Sequence, residues 1–155
     1  MQGSSPAWMH GSKGKTFTYA WKLFLDSNFQ VTGLFCHLHQ IKLDGAGVGN
    51  PNLTLTARND VQLENEGTIL AKVPLASFKG TWIQIREKIT YGPDGCIDFT
   101  AYRMKDGYLL MSHKGCGIKL ENNGVMIRPK FGFYRSLENK ALKNESVRIV
   151  DLCLG

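Results

Sequence analysis

Residues 16–25 read TFTYAWKLFL, and large apolar side chains recur there at every second position. Phe17, Tyr19, Trp21, Leu23 and Leu25 would share one face of an extended chain, and Thr, Ala, Lys and Phe residues would lie on the other. A period of two residues is typical of a strand that buries one face. This segment therefore predicts a half-buried strand of an antiparallel sheet.

Similar segments follow along the rest of the chain. We predict further strands at residues 34–43, 53–58, 69–73, 81–91, 96–104, 108–113, 125–134 and 147–152, and one helical turn at residues 136–144. Clusters of Gly, Pro, Asn and Asp separate them, and the 17 glycines of the chain suit that many turns. Many short strands at even spacing indicate an all-β protein with an antiparallel β-sandwich, and the spacing favours a β-jelly roll.

The length of 155 residues corresponds to one domain. We predict a disordered leader at residues 1–15, without the features of a signal peptide, and the folded domain at residues 16–155. No run approaches the ~20 apolar residues needed to cross a bilayer, so we expect no membrane partner. The net charge of +6 suits an anionic partner. The basic residues are scattered without a recognised motif, so we expect no nucleic acid.

The four cysteines are Cys36, Cys96, Cys116 and Cys153. They form no C-x-x-C pair, which excludes a zinc ribbon and a thioredoxin-like motif. An even number allows two disulfides in three connectivities, whereas free cysteines would serve as small core residues. The sequence leaves both interpretations open.

The first candidate site lies in residues 36–42, CHLHQIK. On a regular strand His37 and His39 would share one face, opposite Cys36, Leu38 and Gln40. Two imidazoles on one face suit metal binding, proton transfer or plain polar surface. A metal site needs a third ligand, so this spacing alone predicts no metal.

The second candidate lies in residues 128–136, RPKFGFYRS. Alternation directs Phe131 and Phe133 to the core, and the opposite face then carries Arg128, Lys130, Gly132, Tyr134 and Ser136. Two cations, a phenol and a glycine that leaves room above the strand suit an anionic ligand, although a solvated outer face is the alternative. Arg58 ends the predicted strand 53–58, where it would either reach this face or lie at its rim.

The order of several motifs carries a family resemblance. The motifs are T-Y-x-W-K-x-x-L-D, H-L-H-Q-I-K, L-T-x-R, G-T-W-I-x-I-x-E-x-I-T-Y-G, R-P-K-F-G-F-Y-R-S-L and V-R-I-x-D-x-C-L. Together they resemble polysaccharide lyases of the concanavalin A-like jelly-roll class, especially glucuronan lyases and more distantly alginate lyases. Alginate lyases carry Q-[IV]-H and Y-F-K-A-G-V-Y-N-Q on two concave strands. The match sets His39 at the family's histidine, His37 at its amide position, and Tyr134 at its catalytic tyrosine.

The resemblance implies a secreted enzyme that cleaves a β-1,4-linked uronic-acid polysaccharide by β-elimination. His39 and Tyr134 would be catalytic, and the substrate-binding residues would be His37, Arg58, Lys130 and Arg128. We expect a monomer that acts on an acidic polysaccharide without a required cofactor, and a structural calcium is compatible with this class. The R-[ST]-E-L strand of alginate lyases has no match, and the chain is short for such a domain. The missing N-terminal strands would leave an unpaired sheet edge.

Two other functions suit the same fold. A lectin-like module would bind carbohydrate in the same groove without turnover. A β-glucan hydrolase would need two carboxylates facing the scissile bond, and the predicted groove strands offer no such pair.

Overall fold

The structure is a computed structural model, and it describes residues 10–31, 33–43, 50–121, 127–138 and 144–155. Within these residues, ten strands form two antiparallel five-stranded sheets. In chain order they are β1 (Thr16–Leu25), β2 (Cys36–Leu43), β3 (Leu53–Ala57), β4 (Asp60–Asn65), β5 (Thr68–Pro74), β6 (Trp82–Thr90), β7 (Gly95–Arg103), β8 (Tyr108–Ile118), β9 (Ile127–Arg135) and β10 (Val147–Leu154). A 3₁₀ helix, Leu75–Phe78, joins β5 to β6.

The first sheet has the strand order β10-β1-β6-β7-β8, and the second has the order β5-β4-β3-β2-β9. Their facing sides enclose one core, so the predicted jelly-roll sandwich is confirmed. The alternation of β1 is confirmed as well, because Tyr19, Trp21, Leu23 and Leu25 are fully buried. Burial of such side chains stabilises the sandwich by about 1.5–3 kcal/mol each.

Strand β4 was not predicted from the sequence. Its segment, DVQLEN, contains only two apolar residues, Val61 and Leu63, among acids and amides that are depleted in strands. Both apolar side chains are fully buried, and residues 61–65 of β4 pair with β3. Cross-strand pairing therefore outweighs the low strand propensity of this segment.

The domain begins before Thr16. Residues 1–9 of the predicted leader lie outside the described residues, but residues 10–15 lie against the sheets. Gly11 exchanges backbone hydrogen bonds with Ile127, and the Gly14 N–H donates to the Tyr91 carbonyl. The predicted helical turn at residues 136–144 lies largely outside the described residues.

The structure matches neither cysteine interpretation in full, because it has one disulfide and two free thiols. Cys96 and Cys116 face each other on β7 and β8 and are bonded, whereas Cys36 is a buried thiol and Cys153 an exposed one. Disulfides persist mainly in oxidising compartments. No helix in the described part of the chain is long and apolar enough to span a membrane.

Candidate functional site

The site is built on the face of the second sheet that points away from the core. Residues that pair across antiparallel strands share a face, so the register gives the rows of this face directly. One row contains Tyr134, His37, Thr56, Gln62 and Lys72, and the next contains Lys130, Gln40, Thr54 and Glu64. Arg128 and Lys42 form a third pair farther along β9 and β2. Gln40, Thr54, Thr56 and Glu64 are buried on this side of the sheet, whereas Tyr134 is exposed. We call this side of the sheet the open face.

His37 and Tyr134 are directly paired, with ring centroids 6.3 Å apart. The Phe35 ring lies beside both rings, with its centroid 5.3 Å from that of His37 and 5.1 Å from that of Tyr134. Tyr134 is 51% exposed, so its phenol is available to a ligand on the open face. Phe131 and Phe133 lie on the core side of β9, as the alternation predicts.

The hydrogen bonds of His37 define which ring nitrogen is available. Thr56 donates its hydroxyl hydrogen to Thr54, so the Thr56 oxygen accepts from Nδ1–H of His37 at 2.9 Å. The neutral ring then carries its lone pair on Nε2. Burial, with the nearby cations Arg58 and Lys42, lowers the pKa of His37 to about 4. His37 is therefore neutral near pH 7.

The expectation that His39 shares this face is wrong. His39 is fully buried between the sheets, where its ring stacks on Phe131 with centroids 4.5 Å apart. Its Nδ1 donates to the Lys130 carbonyl at 3.0 Å, and its Nε2 lies 2.7 Å from Glu87 Oε1. A residue in this position has no contact with a ligand on the open face.

A β-bulge causes this difference. His37 pairs with Thr56 but His39 pairs with Leu55, so two steps along β2 match a single step along β3. The extra residue breaks the strict alternation, and Leu38 and His39 both point into the core. On the other side of β2, the pairing with β9 is also irregular, and Gly132 adopts φ 120° there. This backbone conformation favours glycine. It gives a reason for Gly132 other than the predicted room for a ligand above the strand.

The open face also carries the predicted cations Lys130 and Arg128. Lys130 pairs with Gln40 in the row next to Tyr134, and Arg128 pairs with Lys42 one row farther on. The structure thus brings His37, Tyr134, Lys130 and Arg128 together along β2 and β9. Three cations in two adjacent rows create a positive strip on this side of the open face.

Arg58 lies on the other side of the open face and has partners of its own. Its Nη1 donates to the Gln62 amide oxygen at 2.6 Å and to the Glu64 carboxylate. Glu64 was not among the predicted site residues, because it lies on the unpredicted strand β4. The pattern Val61-x-Leu63 was the only signal for this strand, and it is too short to distinguish a strand from a turn.

A cavity of about 250 Å³ opens beside His37. Its side-chain lining includes Phe35, His37, Thr54, Arg58, Glu64 and Glu66. Within the described residues, no three His, Cys, Asp or Glu side chains cluster as metal ligands would.

The jelly-roll sandwich is a fold shared with polysaccharide lyases. An endo-β-1,4-glucuronan lyase from the fungus Trichoderma reesei matches with a TM-score of 0.64 and 14% identity, over 99% of this chain and 78% of the other. The alginate lyase AlgAT5, of polysaccharide lyase family 7, matches with a TM-score of 0.54 and 14% identity, over 90% and 58% of the two chains.

A third structure, the alginate lyase Aly36B in complex with an alginate trisaccharide, matches with a TM-score of 0.53 and 12% identity, over 94% and 72% of the two chains. No protein-family model and no curated protein matches the sequence. At these identities the likeness establishes the fold, and the family resemblance noted in the sequence agrees with it.

Proposed function

We propose that the protein is a polysaccharide lyase that cleaves a β-1,4-linked uronic-acid polymer, of the glucuronan type, by β-elimination. The observation that carries this proposal is the direct pairing of His37 with Tyr134 on the open face, with Lys130 in the adjacent row. Proton transfer and carboxylate binding, the two functions that this elimination needs, are then supplied within two rows of one sheet. The fold shared with glucuronan and alginate lyases supports the same assignment.

In the elimination, the C5 proton is removed and the electron pair of the C5–H bond is held as enolate-like charge on the C6 carboxylate. This pair then forms the C4–C5 double bond as the C4–O4 bond breaks, and the leaving oxygen takes up a proton. In glucuronate the C5 hydrogen and O4 lie on the same side of the ring, so one residue can serve both steps. We assign this role to Tyr134, whose side chain is exposed on the open face. Its phenolate accepts the C5 proton, and the phenol so formed returns that proton to the leaving oxygen.

His37 has a supporting role in this proposal. Because its ring is neutral, it does not supply the positive charge that a uronate needs. With Nδ1–H donated to Thr56, its Nε2 accepts a hydrogen bond from the sugar or from the Tyr134 hydroxyl. His37 therefore orients the reacting sugar beside Tyr134 rather than neutralising the carboxylate.

The carboxylate is then bound by the positive strip. Lys130 lies in the row next to Tyr134, and Arg128 with Lys42 extends the strip by one row. A cation at the C6 carboxylate makes the C5 proton easier to remove, since it stabilises the enolate-like charge that develops. Arg58 contributes less than the sequence suggested, because Glu64 already balances its charge.

The test is an absorbance assay for the unsaturated product with glucuronan, alginate and pectate as substrates. We expect product from glucuronan, with no added metal or organic cofactor. Binding of the uronate polymers without any unsaturated product would contradict the lyase proposal and support a lectin-like module. The displacement of His39 from the open face is the observation that favours that second candidate.

We further propose an extracellular location and a monomeric state, with calcium, if present, in a structural role. The Cys96–Cys116 disulfide supports the extracellular location, since such bonds persist in oxidising environments.

A further inference from the structure

The cavity beside His37 differs in charge from the rest of the open face. Among the described residues, its charged lining consists of one cation, Arg58, and two carboxylates, Glu64 and Glu66. The chain as a whole has a net charge of +6, and the positive strip of Lys42, Arg128 and Lys130 lies on the same sheet. The cavity is therefore a region without net positive charge next to a cationic surface.

The cation in this cavity already has its own counterion. Arg58 Nη1 donates to both Gln62 and Glu64, and the Glu64 side chain is largely shielded from solvent. Glu66 accepts from the Asn52 amide at 3.1 Å and lies 3.6 Å from Lys119. A ligand carboxylate in the cavity would compete with Glu64 for Arg58 and would face a like charge at short range.

The remaining lining suits an uncharged sugar. Phe35 offers an aromatic ring, and its stacking on His37 holds that ring at the cavity wall. The Thr54 hydroxyl and the two carboxylates are acceptors for sugar hydroxyls. Pockets that bind small ligands combine apolar walls with a few such polar groups.

We propose that this cavity is a subsite for an uncharged sugar unit, and that Glu64 excludes a second carboxylate from it. The inference rests on the proposed function in one respect, because the positive strip is taken to hold a uronate. The preferred polymer then has an uncharged unit, such as an esterified or reduced one, next to the uronate that reacts. Glu64 is a specificity residue in this assignment and takes no part in proton transfer.

The test uses Glu64→Gln in the full chain. The amide oxygen of Gln still accepts from Arg58, so the variant removes the negative charge and keeps the hydrogen bond. The two probes are β-1,4-linked polyglucuronate and the same polymer with part of its carboxylates reduced to hydroxymethyl groups. Affinity is measured by titration calorimetry at low salt in a Tyr134→Phe background, so that turnover does not consume either polymer.

We expect Glu64→Gln to bind the fully ionised polymer about 3- to 10-fold more tightly, with a smaller gain for the reduced polymer. Asp94→Asn, which removes one exposed charge from the β6–β7 turn of the first sheet, is the matched control and should change neither affinity. If Glu64→Gln fails to fold, Glu66→Gln in the lining of the same cavity should likewise raise the affinity for the ionised polymer.

Equal affinity of Glu64→Gln and the parent for the ionised polymer would overturn the subsite, and so would an equal gain for both polymers. Failure of the parent to bind either polymer would overturn it as well. The lyase proposal is tested separately, by product formation in the chain that retains Tyr134. A chain that binds as expected without forming product would contradict only the lyase proposal.

Discussion

His39 and Glu87 meet in the centre of the sandwich, with Nε2 2.7 Å from Oε1 and both side chains fully buried. The two atoms lie at ion-pair distance without the alignment of a hydrogen bond, and Glu87 Oε2 has no hydrogen-bond partner within the described residues. His39 belongs to the second sheet and Glu87 to the first, so the contact joins the two layers. Through Nδ1, His39 also holds the backbone of β9 at Lys130.

Removal of one partner of this buried pair should destabilise the fold strongly, whereas replacement of both partners by apolar residues should change its stability little. Glu87→Leu leaves His39 without its acidic partner, and we expect it to lower the free energy of unfolding by about 3–5 kcal/mol. The double variant His39→Leu/Glu87→Leu removes both polar groups and should recover most of that loss. Urea unfolding at pH 7 measures both values. A Glu87→Leu protein as stable as the parent would show that the pair carries no stability.

Tyr134→Phe should abolish turnover with little effect on folding. The substitution keeps the ring and its contact with Phe35 but removes the only exchangeable proton of the side chain. We expect the rate of product formation to fall by about 10²- to 10⁴-fold, with polymer affinity and melting temperature unchanged. Tyr108→Phe, on the exposed edge strand β8, is the control and should keep full activity. Normal turnover by Tyr134→Phe would exclude this tyrosine as the proton carrier.

His37 should make the protein less stable in mild acid. Its pKa is about 4 in the folded protein, below the value of about 6.5 expected in the unfolded chain. The unfolded state therefore binds more protons between these values, and stability is lost as the pH falls from about 6.5 towards 4. In thermal melts across this range, His37→Gln should reduce the dependence of the melting temperature on pH. If the melting temperatures of His37→Gln and the parent fell equally as the pH is lowered, His37 would not be the source of the acid sensitivity.

The disulfide should stabilise the first sheet. Cys96 and Cys116 are separated by 20 residues, and closing a loop of that length lowers the entropy of the unfolded chain. The corresponding contribution is about 3 kcal/mol. We expect Cys96→Ser/Cys116→Ser to lose this amount in urea unfolding, and a reducing agent to destabilise the parent but not the variant. An equal response of both proteins to the reductant would point to another source of the effect.

Lys130 should bind the polymer by charge. We expect Lys130→Met to weaken polyglucuronate binding by about 3- to 10-fold at low salt, and the difference should shrink as added salt screens the charges. Lys114→Met provides the matched control, because Lys114 is a highly exposed cation on β8 of the other sheet. A loss that is the same at every salt concentration would indicate a packing defect instead of a lost ion pair.

The fold class and one strand of the site could be predicted from the amino-acid sequence alone. Alternation identified the core faces of β1 and β9, because a fixed period of two residues assigns every side chain of a regular strand to one face. It therefore placed Phe131 in the core and Tyr134 and Lys130 on the open face, where the structure has them. These assignments needed only local information.

The tertiary structure decided the remaining parts of the site. The bulge in β2 turns His39 into the core, and it arises from the pairing of β2 with two neighbours, which a single segment does not encode. Strand β4, which carries Glu64, forms because its edge pairs with β3 despite a poor strand sequence. The Cys96–Cys116 bond likewise depends on the register of β7 with β8. Each of these features is a contact between segments that are distant in the sequence. Such a contact stabilises the protein only after the sheets have assembled.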